Sequence, residues 1–536
     1  MSGSHLLASS FAAVTPKTTI HWVWPLLVVA AARILHVLIR RFRNHQADLA
    51  LARKHGCEMP PELPKRWPLG IDRIIELWKS NADGHILAFL CSIAKGYDGR
   101  NNLCQYLLFG PRAYHILHPA NVESLLSTNF KDYGFGCRPA VFAPLFGNGI
   151  FTQEGSAWRH SRELLHKQFV RAKYQNLESS FSEHVDNLIS SMPSSGVVDL
   201  QPLFFALTLD TATALLFGQS VYSLRANIDQ AAENKLFAES FEIAQEGLAK
   251  RFRIAPFHFL YNPSEFRRAC RNVHQFVERY IRQRGFGKDA KDVNHSSRND
   301  NASSWFFAQV AAGSSSEVDL RDQLLNVLLA GRDTTACCLS WTFRLLVRHK
   351  QVMQRVRDEI SEVMKDEMHP TREHVKKMQY LTCAVKETLR LYPSVPLNNR
   401  EAIKTTMLPT GGGPDGGSPI LVRAGELVVF SQYVNSRMKS IYGEDAEAFR
   451  PERWETGELS DIGWAYFPFN GGPRQCLGED FALMEVSYTL VRLLQAFPTI
   501  KLPEGETIEP VGAERQRLTL VLSSADGCQV EVNTAV

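Results

Sequence analysis

The sequence has almost no net charge and carries no long basic tract. Its 60 lysines and arginines nearly balance its 56 aspartates and glutamates, which leaves a net charge of +4. A protein that binds nucleic acid needs strong, clustered positive charge, and the cysteine and histidine spacing of zinc fingers is also missing. Nucleic acid is therefore not an expected partner.

Cysteine is sparse as well. The ten cysteines are scattered over 536 residues, and none forms a CxxC pair. This distribution supports neither a disulfide scaffold nor a zinc site, so we expect reduced thiols. The glycine-rich stretch 411–419 (GGGPDGGSP) lacks the Gly-Lys-Ser/Thr ending of a phosphate-binding loop. Because it lies between two apolar runs, it is interpreted as the tip of a β-hairpin.

One long apolar run is present near the N-terminus. Residues 20–39 read IHWVWPLLVVAAARILHVLI, about one membrane thickness as a helix. Arg40, Arg41 and Arg43 follow directly, and basic residues on that flank place the rest of the chain in the cytosol. Arg33 costs about 3 kcal/mol at the bilayer centre unless it snorkels. A membrane-spanning anchor is favoured, while a surface-lying helix and a cleaved signal peptide stay open.

The expected organisation is a lumenal segment (1–19), a transmembrane anchor (20–39), a basic, proline-rich linker (40–66) and a catalytic domain (67–536). Most of the domain has helical periodicity, and the longest run covers 317–349 with Ser316 and Asp319 as a capping box. Strand signals gather at 393–436 and from 517 onward. The expected fold class is mainly α, one large helical domain with small β-sheets.

The segment 467–480 (FPFNGGPRQCLGED) carries what an iron held by a thiolate needs. Cys476 supplies the sulfur, and Gly472 and Gly478 allow a tight turn and close approach of a porphyrin to the backbone. Arg474 is suited to bind a haem propionate by charge-assisted hydrogen bonds, and Phe469 to shield the sulfur from water. The helix expected from residue 479 onward places its N-terminus near the sulfur and favours negative charge there.

These five residues match the haem-binding pattern FxxGxRxCxG at every fixed position, so the chain resembles the cytochrome P-450 family. The resemblance implies the P-450 fold and a haem b whose iron, the metal of the site, is bound by Cys476. It also implies monooxygenation, in which one oxygen atom of O2 enters a C–H bond and the other leaves as water. Electrons would come from NADPH through a separate reductase, since the chain shows no flavin or nicotinamide domain.

A second motif, AGRDTT (330–335), lies inside the long helix. An Asp-Thr-Thr run in such an apolar setting costs free energy unless it is used. It resembles the oxygen-activation motif of the family, which implies that Thr334 hydrogen-bonds dioxygen and Asp333 helps to relay protons. The alternative is a local helix irregularity in which the hydroxyls bond to carbonyls of their own helix.

The family's ExxR motif is matched by Glu387 and Arg390, which are three residues apart on one helix face. The FRPERW segment follows and contains Arg453. By resemblance, these three residues form a buried network that braces the haem core, and their role is structural.

Two further matches concern the haem propionates. Trp158 and Arg162 in WRHSR resemble the WxxxR pair of the family, whose side chains bind a propionate. Arg400, which follows YPSVP, matches the basic propionate partner that comes after the ExxR helix. A single buried tryptophan in an ordinary helix is the alternative for the WxxxR pair.

Several stretches resemble the fungal subfamily that hydroxylates alkanes and fatty acids: RHSRELL after Trp158, LPTGGGPDGGSPI, FRPERWETG and FNGGPRQCLG. This implies terminal hydroxylation of a long aliphatic chain by a single-pass enzyme of the endoplasmic reticulum membrane that faces the cytosol. Other readings stay open. They are a tailoring oxidase of fungal polyketide or terpenoid secondary metabolism, a haem-thiolate isomerase or dehydratase, and a haem-binding protein without turnover.

Two groups of side chains have a functional and an ordinary reading. The first either lines an apolar substrate pocket or is plain core, and consists of Phe142, Phe146, Val395 and Leu397. The second either docks an acidic reductase or is a solvated basic helix face, and consists of Arg159, Arg162, Lys167, Arg171 and Lys173.

Overall fold

The computed structural model describes residues 20–97, 102–105, 111–174, 177–225, 231–284 and 302–534. Helices dominate this part of the chain, joined by short 3-10 turns. The helices are α1 (Ile20–His55), α2 (Ile71–Ala82), α3 (Ile86–Lys95), α4 (Pro119–Glu123), α5 (Arg138–Phe146), α6 (Gly155–Tyr174), α7 (Leu177–Ser191), α8 (Leu200–Phe217), α9 (Ala231–Arg253), α10 (Ser264–Arg284), α11 (Ala302–Gly313), α12 (Glu317–Arg348), α13 (Lys350–Met364), α14 (Arg372–Lys377), α15 (Gln379–Leu391), α16 (Gln432–Asn435), α17 (Lys439–Tyr442) and α18 (Glu479–Ala496).

The strands are short. They are β1 (Asn102–Gln105), β2 (Ala113–Ile116), β3 (Tyr133–Gly134), β4 (Ser195–Asp199), β5 (Asn398–Ala402), β6 (Thr406–Gly412), β7 (Ser418–Val422), β8 (Leu427–Phe430), β9 (Thr499–Lys501), β10 (Gln516–Leu518), β11 (Leu522–Ser524) and β12 (Gln529–Asn533). One sheet has the order β1-β2-β8-β5-β3, another β4-β12-β9, and β6-β7 and β10-β11 are antiparallel hairpins. The predicted hairpin tip at 411–419 joins β6 to β7.

The long helix α12 organises the core. It begins where the Ser316 hydroxyl accepts a hydrogen bond from the backbone N–H of Asp319, at 3.1 Å. The C-terminal half of α12 packs with α15 and α18 in one hydrophobic cluster, and its N-terminal half packs with α9 and α10 in a second. A third cluster lies between the five-stranded sheet and the β6-β7 hairpin. The predicted mainly helical architecture with small sheets is confirmed.

The chain forms two compact units, Met1–Glu58 and Met59–Val536. In the second unit the backbone N–H of Leu63 donates to Cys104, and that of Cys104 donates to Pro61, both at 2.8 Å. These bonds tie the proline-rich stretch to β1, so the larger unit begins ahead of the predicted start at residue 67.

Apolar helices occur in two places. Within the described residues, one helix is long and apolar enough to cross a membrane, α8, and 61% of that stretch is buried inside the protein. This burial fits a helix of the protein core. The predicted anchor 20–39 lies within α1, which continues past it to His55, and the predicted lumenal segment 1–19 lies outside the described residues.

Candidate functional site

The cysteine loop is held tightly from both sides. The backbone N–H of Cys476 donates to the carbonyl of Phe469 at 2.9 Å, which closes the loop. Gly472 has a φ of +64°, and a Cβ there would lie 2.0 Å from the carbonyl oxygen of Leu126. Any other residue at 472 would have to displace the backbone of a neighbouring segment. The turn glycine of the motif is therefore dictated by the protein's own packing.

Cys476 is accessible at the end of its loop. Its side chain is exposed, whereas the other described cysteines are buried or half-buried. Burial nevertheless raises the pKa of Cys476 to about 11, and the backbone N–H of Gly478 lowers it. The Cys476 side chain is therefore accessible, although protein atoms surround it on most sides. The helix α18 begins directly after Gly478, so its positive N-terminal end lies next to the sulfur.

Three arginines converge on one aromatic ring beside this loop. The guanidinium carbons of Arg138, Arg474 and Arg400 lie 4.3, 4.1 and 5.1 Å from the centre of the Phe135 ring. Arg474 also lies 4.3 Å from the centre of the Trp158 ring. The structure thus brings together three of the predicted propionate residues, and adds Arg138. We call Arg138, Arg400 and Arg474 the arginine cluster.

Among the described residues, no buried carboxylate pairs with the arginine cluster. Arg138 and Arg400 both donate to neutral oxygens of Asn398 and Asn399, and the nearby Glu154 is exposed. In the described part of the chain, Nε of Arg138 has no hydrogen-bond partner. Buried charges of one sign are costly unless a counter-charge is supplied.

The pKa values of the cluster reflect this imbalance. Burial, followed by the charges of Arg138 and Arg474, holds the pKa of Arg400 well below its ordinary value. Burial and the charge of Arg138 lower the pKa of Arg474 to about 9. Such a site is suited to a ligand with two carboxylates, and the two propionates of haem have that character. The residues present therefore fit the group.

Arg162 lies against the cysteine loop. Its Nη1 donates to the carbonyl of Gln475 at 2.9 Å, and its guanidinium lies 5.9 Å from the Trp158 ring. Its charge also contributes to lowering the pKa of Arg474. The predicted WxxxR pair is thus positioned between the arginine cluster and the cysteine loop.

The ExxR helix α15 carries a second, fully buried arginine site. Arg390 donates from Nε and Nη2 to the two carboxylate oxygens of Glu387, both at 2.8 Å. Nε of Arg453 donates to the same carboxylate at 2.9 Å. Trp454 Nε1 and the backbone N–H of Arg450 add two more donors, at 2.9 and 3.0 Å. We call Glu387, Arg390 and Arg453 the ExxR network.

The charge of the ExxR network is internally satisfied. Burial alone would raise the pKa of Glu387, but the hydrogen bonds and charge of Arg390 and the charge of Arg453 lower it overall. Two further donors to the Glu387 carboxylate, the indole N–H of Trp454 and the backbone N–H of Arg450, were not predicted from the sequence. Their adjacency to Arg453 in FRPERW is the signal that was available.

Helix α12 presents a small accessible facet. From Asp322 to Phe343 every residue is buried except Ala330, Gly331 and Thr334, which are half-buried. The three share one face, because they are one and four residues apart. The Thr334 hydroxyl donates to the carbonyl of Ala330 at 2.6 Å. Thr334, one of the two residues that the motif assigns to oxygen activation, thus lies on the facet that α12 leaves accessible.

Asp333 points away from this facet. Its carboxylate pairs with Arg332 Nη1 at 2.9 Å, and both residues are buried. Burial raises the pKa of Asp333, and the charge of Arg332 opposes that shift. The guanidinium of Arg332 lies 5.1 and 5.3 Å from the rings of Phe205 and Phe241. Sequence reasoning named the acid of this pair but not its arginine.

The remaining predicted groups separate into different surroundings. Phe146 is fully buried core, with the Phe142 ring 6.1 Å away, whereas Val395 is 42% exposed. Leu397 lines a small apolar cavity of about 70 Å³ next to the five-stranded sheet. On α6, Arg159 and Lys167 are exposed, and the side chains of Arg171 and Lys173 lie outside the described residues.

Comparison with known proteins identifies the family. The family model for Cytochrome P450 matches residues 75–524. A "Cytochrome P450" from Arthroderma benhamiae is 44% identical over 93% of this chain and 96% of the relative. "Cytochrome P450 52A13" from Debaryomyces hansenii is 38% identical over 93% and 96%, and "Cytochrome P450 monooxygenase g430" from a Fusarium species is 37% identical over 94% and 89%.

Solved structures share the fold. The crystal structure of the haem domain of cytochrome P450DA superposes with a TM-score of 0.73 at 18% identity, covering 90% of this chain and 98% of that one. The arginine cluster, the loop of Cys476 and the facet of α12 are the parts of this fold that suit a haem. The chain belongs to the cytochrome P450 family of monooxygenases, whose haem iron is held by a cysteine thiolate and whose electrons come from NADPH through a reductase.

Proposed function

We propose that the protein hydroxylates a long aliphatic substrate, an alkane or a fatty acid, at or near its terminal carbon. The observation that carries this proposal is the apolar character of the accessible facet of α12, where Ala330 and Gly331 lie beside Thr334. The accessible Val395 is apolar as well. The sequence resemblance to the fungal alkane- and fatty-acid-hydroxylating subfamily supports the same substrate class.

The proposed roles follow from position. Cys476 binds the iron, and haem bound there supplies the activation of dioxygen. Phe469, Gly472 and Gly478 shape the cysteine loop, and the ExxR network braces it. The propionates are bound by Trp158, Arg162, Arg400 and Arg474, and by Arg138 of the arginine cluster.

Proton supply is assigned to the acid and alcohol of α12. Burial favours the protonated form of Asp333 while its ion pair with Arg332 favours the charged form, and this balance suits a group that exchanges a proton. Thr334 lies on the accessible facet, and its hydroxyl can donate a proton there when it gives up its bond to the Ala330 carbonyl. The substrate is held over the same facet by apolar contact.

Electrons are proposed to arrive from NADPH through a separate reductase. The exposed cations Arg159 and Lys167 lie on α6, the helix whose Arg162 contacts the cysteine loop. An acidic partner that docks on α6 would therefore be close to Cys476. Lys167 pairs with Glu163 at 3.1 Å, a weak surface contact that such a partner could replace.

We further propose attachment to the endoplasmic reticulum membrane, with residues 20–39 as the anchor. Exposed apolar side chains on the larger unit support a membrane surface. In α2, Ile71, Ile75 and Trp78 are 39%, 51% and 55% exposed and share one helix face. Between α9 and α10, Phe259 and Leu260 are 64% and 73% exposed. An apolar face of this kind favours contact with lipid.

Spectroscopy and turnover test the proposal. Dodecane or palmitic acid should shift the ferric haem of the purified protein toward high spin, and turnover with a fungal NADPH–cytochrome reductase should give the terminal alcohol. A shift only with bulky polyketides, or product without reductase, would overturn it. Cys476→Ser should abolish the red-shifted absorption band of the reduced carbon monoxide complex. Thr334→Ala should keep that band but release most electrons as hydrogen peroxide.

A further inference from the structure

Ser394 connects two segments to the turn in which it lies. This turn, Tyr392 to Leu397, joins α15 to β5. The Ser394 hydroxyl donates to the backbone carbonyl of Thr334 at 2.8 Å. Its own carbonyl accepts from the backbone N–H of Leu522 at 3.0 Å. One largely buried residue thus bonds to α12 on one side and to β11 on the other.

The same three segments are joined a second time by Trp341. Its indole Nε1 donates to the carbonyl of Leu522 at 2.9 Å. Its ring stacks on Tyr392, with the ring centres 4.0 Å apart and the planes 8° apart. Trp341 lies about two turns along α12 from Thr334. The stack and the Ser394 bond therefore fix α12 against the turn at two separate points.

The Ser394 bond falls at the accessible facet. Thr334 uses its own hydroxyl to bond the carbonyl of Ala330 within the helix. Its carbonyl is the one that Ser394 reaches from outside, and a carbonyl oxygen has a second lone pair for such a donor. The residue after Ser394 is the exposed Val395. The bond therefore sets how far the backbone of Thr334 lies from the apolar side chain beside it.

Other buried hydroxyls of α12 differ in this respect. Ser340 donates to Ala336 at 2.7 Å and Thr342 donates to Cys338 at 2.7 Å, both within the helix. In the part of the chain that the structure describes, these two bonds stay within α12 and join it to no other element. Ser340 is therefore a matched comparison for Ser394, equal in chemistry and burial but without a cross-link.

We propose that Ser394 is a positioning residue that holds Thr334 in register with the substrate. It rests on the proposed function, because Thr334 is assigned there to proton supply. Loss of the hydroxyl removes the bond between the Thr334 carbonyl and the turn after α15. The Thr208 hydroxyl on α8, which donates to the carbonyl of Arg332 at 2.7 Å, still contacts this turn of α12 but does not join it to the turn that carries Val395. The Thr334 side chain then samples more than one position relative to the substrate, so two electrons from NADPH and two protons reduce dioxygen to hydrogen peroxide and no oxygen atom enters the substrate.

The test compares Ser394→Ala, Ser394→Thr and Ser340→Ala in the haem-loaded, full-length protein. In Ser394→Ala, hydrogen exchange of the amides around 330–338 should become faster by roughly 3- to 10-fold, the usual effect of one lost hydrogen bond. The peroxide released per NADPH should rise several-fold at unchanged KM. Ser394→Thr should restore both values, and Ser340→Ala should leave the peroxide ratio unchanged.

The outcomes separate the two proposals. Equal exchange rates and equal peroxide ratios in Ser394→Ala and Ser340→Ala would overturn the positioning role, since any buried hydroxyl would then serve. If wild type gave no NADPH-dependent alcohol, the proposed function would fail. The exchange measurement would still decide whether Ser394 holds α12.

Discussion

The ExxR network and the arginine cluster are both built from arginines, but their charges are balanced differently. The ExxR network is fully buried, whereas in the cluster Arg400 is buried and Arg138 and Arg474 are half-buried. In the ExxR network, Arg390 and Arg453 share the carboxylate of Glu387 within 2.9 Å. In the arginine cluster, the guanidiniums lie around the ring of Phe135 and donate to neutral oxygens. One site is complete within the protein, whereas the other is suited to a negative ligand.

The difference distinguishes charged side chains that stabilise the fold from charged side chains that bind a ligand. An arginine taken out of water is tolerated when an acceptor of opposite charge lies beside it. Glu387 meets that need, so the ExxR network contributes to the fold. The cluster around Phe135 meets it only when a carboxylate ligand arrives, so its free energy depends on the ligand. Three substitutions test this contrast.

The largest effect is expected for Glu387→Gln. Removing the shared carboxylate leaves Arg390 buried without its counter-charge and Arg453 with the more distant Asp445, 3.3 Å away, which costs about 3–5 kcal/mol of unfolding free energy. Denaturant unfolding followed by circular dichroism measures it. The control is Glu447→Gln, which breaks only the exposed pair with Lys95 and should cost less than about 1 kcal/mol. A similar small loss for both variants would contradict a structural role for the network.

A smaller effect on stability, but a large one on haem, is expected for Arg400→Met. Loss of a charge-assisted hydrogen bond of about 1.5–3 kcal/mol should speed haem transfer to an acceptor protein by roughly 10- to 100-fold. Arg437→Met is the control, because that buried arginine packs on Tyr433, 3.5 Å from the ring centre, away from the cluster. It should cost stability without comparable haem loss.

The haem-free protein sharpens the same comparison. Without a ligand, Arg400→Met relieves repulsion from Arg138 and Arg474, so its unfolding free energy should equal or exceed that of haem-free wild type. A clear loss of stability would show that the arginine cluster is structural, like the ExxR network.

Glu485 on α18 is a third kind of buried ionisable residue. Thr211 donates to its carboxyl group, and among the described residues no ion pair includes it. Burial raises its pKa to about 8, so the folded protein keeps this proton while the unfolded chain loses it near pH 4. The contribution of Glu485 to the free energy of unfolding is complete at low pH and is lost as pH rises toward 8. The loss is about 1.4 kcal/mol per pH unit.

Glu485→Gln should remove this dependence. Urea unfolding at pH 6 and pH 8 should show a smaller decrease for the variant than for wild type, by up to about 2–3 kcal/mol. Equal decreases in both proteins would mean that Glu485 is ionised in the folded state and has a partner, as Glu387 does.

Local patterns predicted the parts of this protein whose partners are near in sequence. The start of α12 at Ser316, the pairing of Glu387 with Arg390 and the β6-β7 hairpin each depend on residues a few positions apart. The fixed spacing around Cys476 predicted the loop, because the positive φ of Gly472 is a local conformation. The close contact of Gly472 with the backbone of Leu126 comes from a distant segment.

Other features depend on segments that are far apart in the chain. Arg138 lies beside Arg400 and Arg474, although more than 250 residues separate it from either one. No sequence pattern around Arg138, in FGCRPA, predicts this contact. The pairing of the proline-rich stretch with β1 moved the start of the larger unit ahead of residue 67. Burial also distinguished Phe146, which is core, from Val395, which is exposed.

The sequence by itself determined the family and the mainly helical fold and predicts Cys476 as the haem ligand, because these follow from residue types at short, fixed spacings. The tertiary structure decided which charges are balanced by protein and which require a ligand. It also showed that Ser394 reaches Thr334 across 60 positions. The physical reason is that the free energy of a buried polar group depends on the atoms around it, and those atoms are assembled only when distant segments pack together.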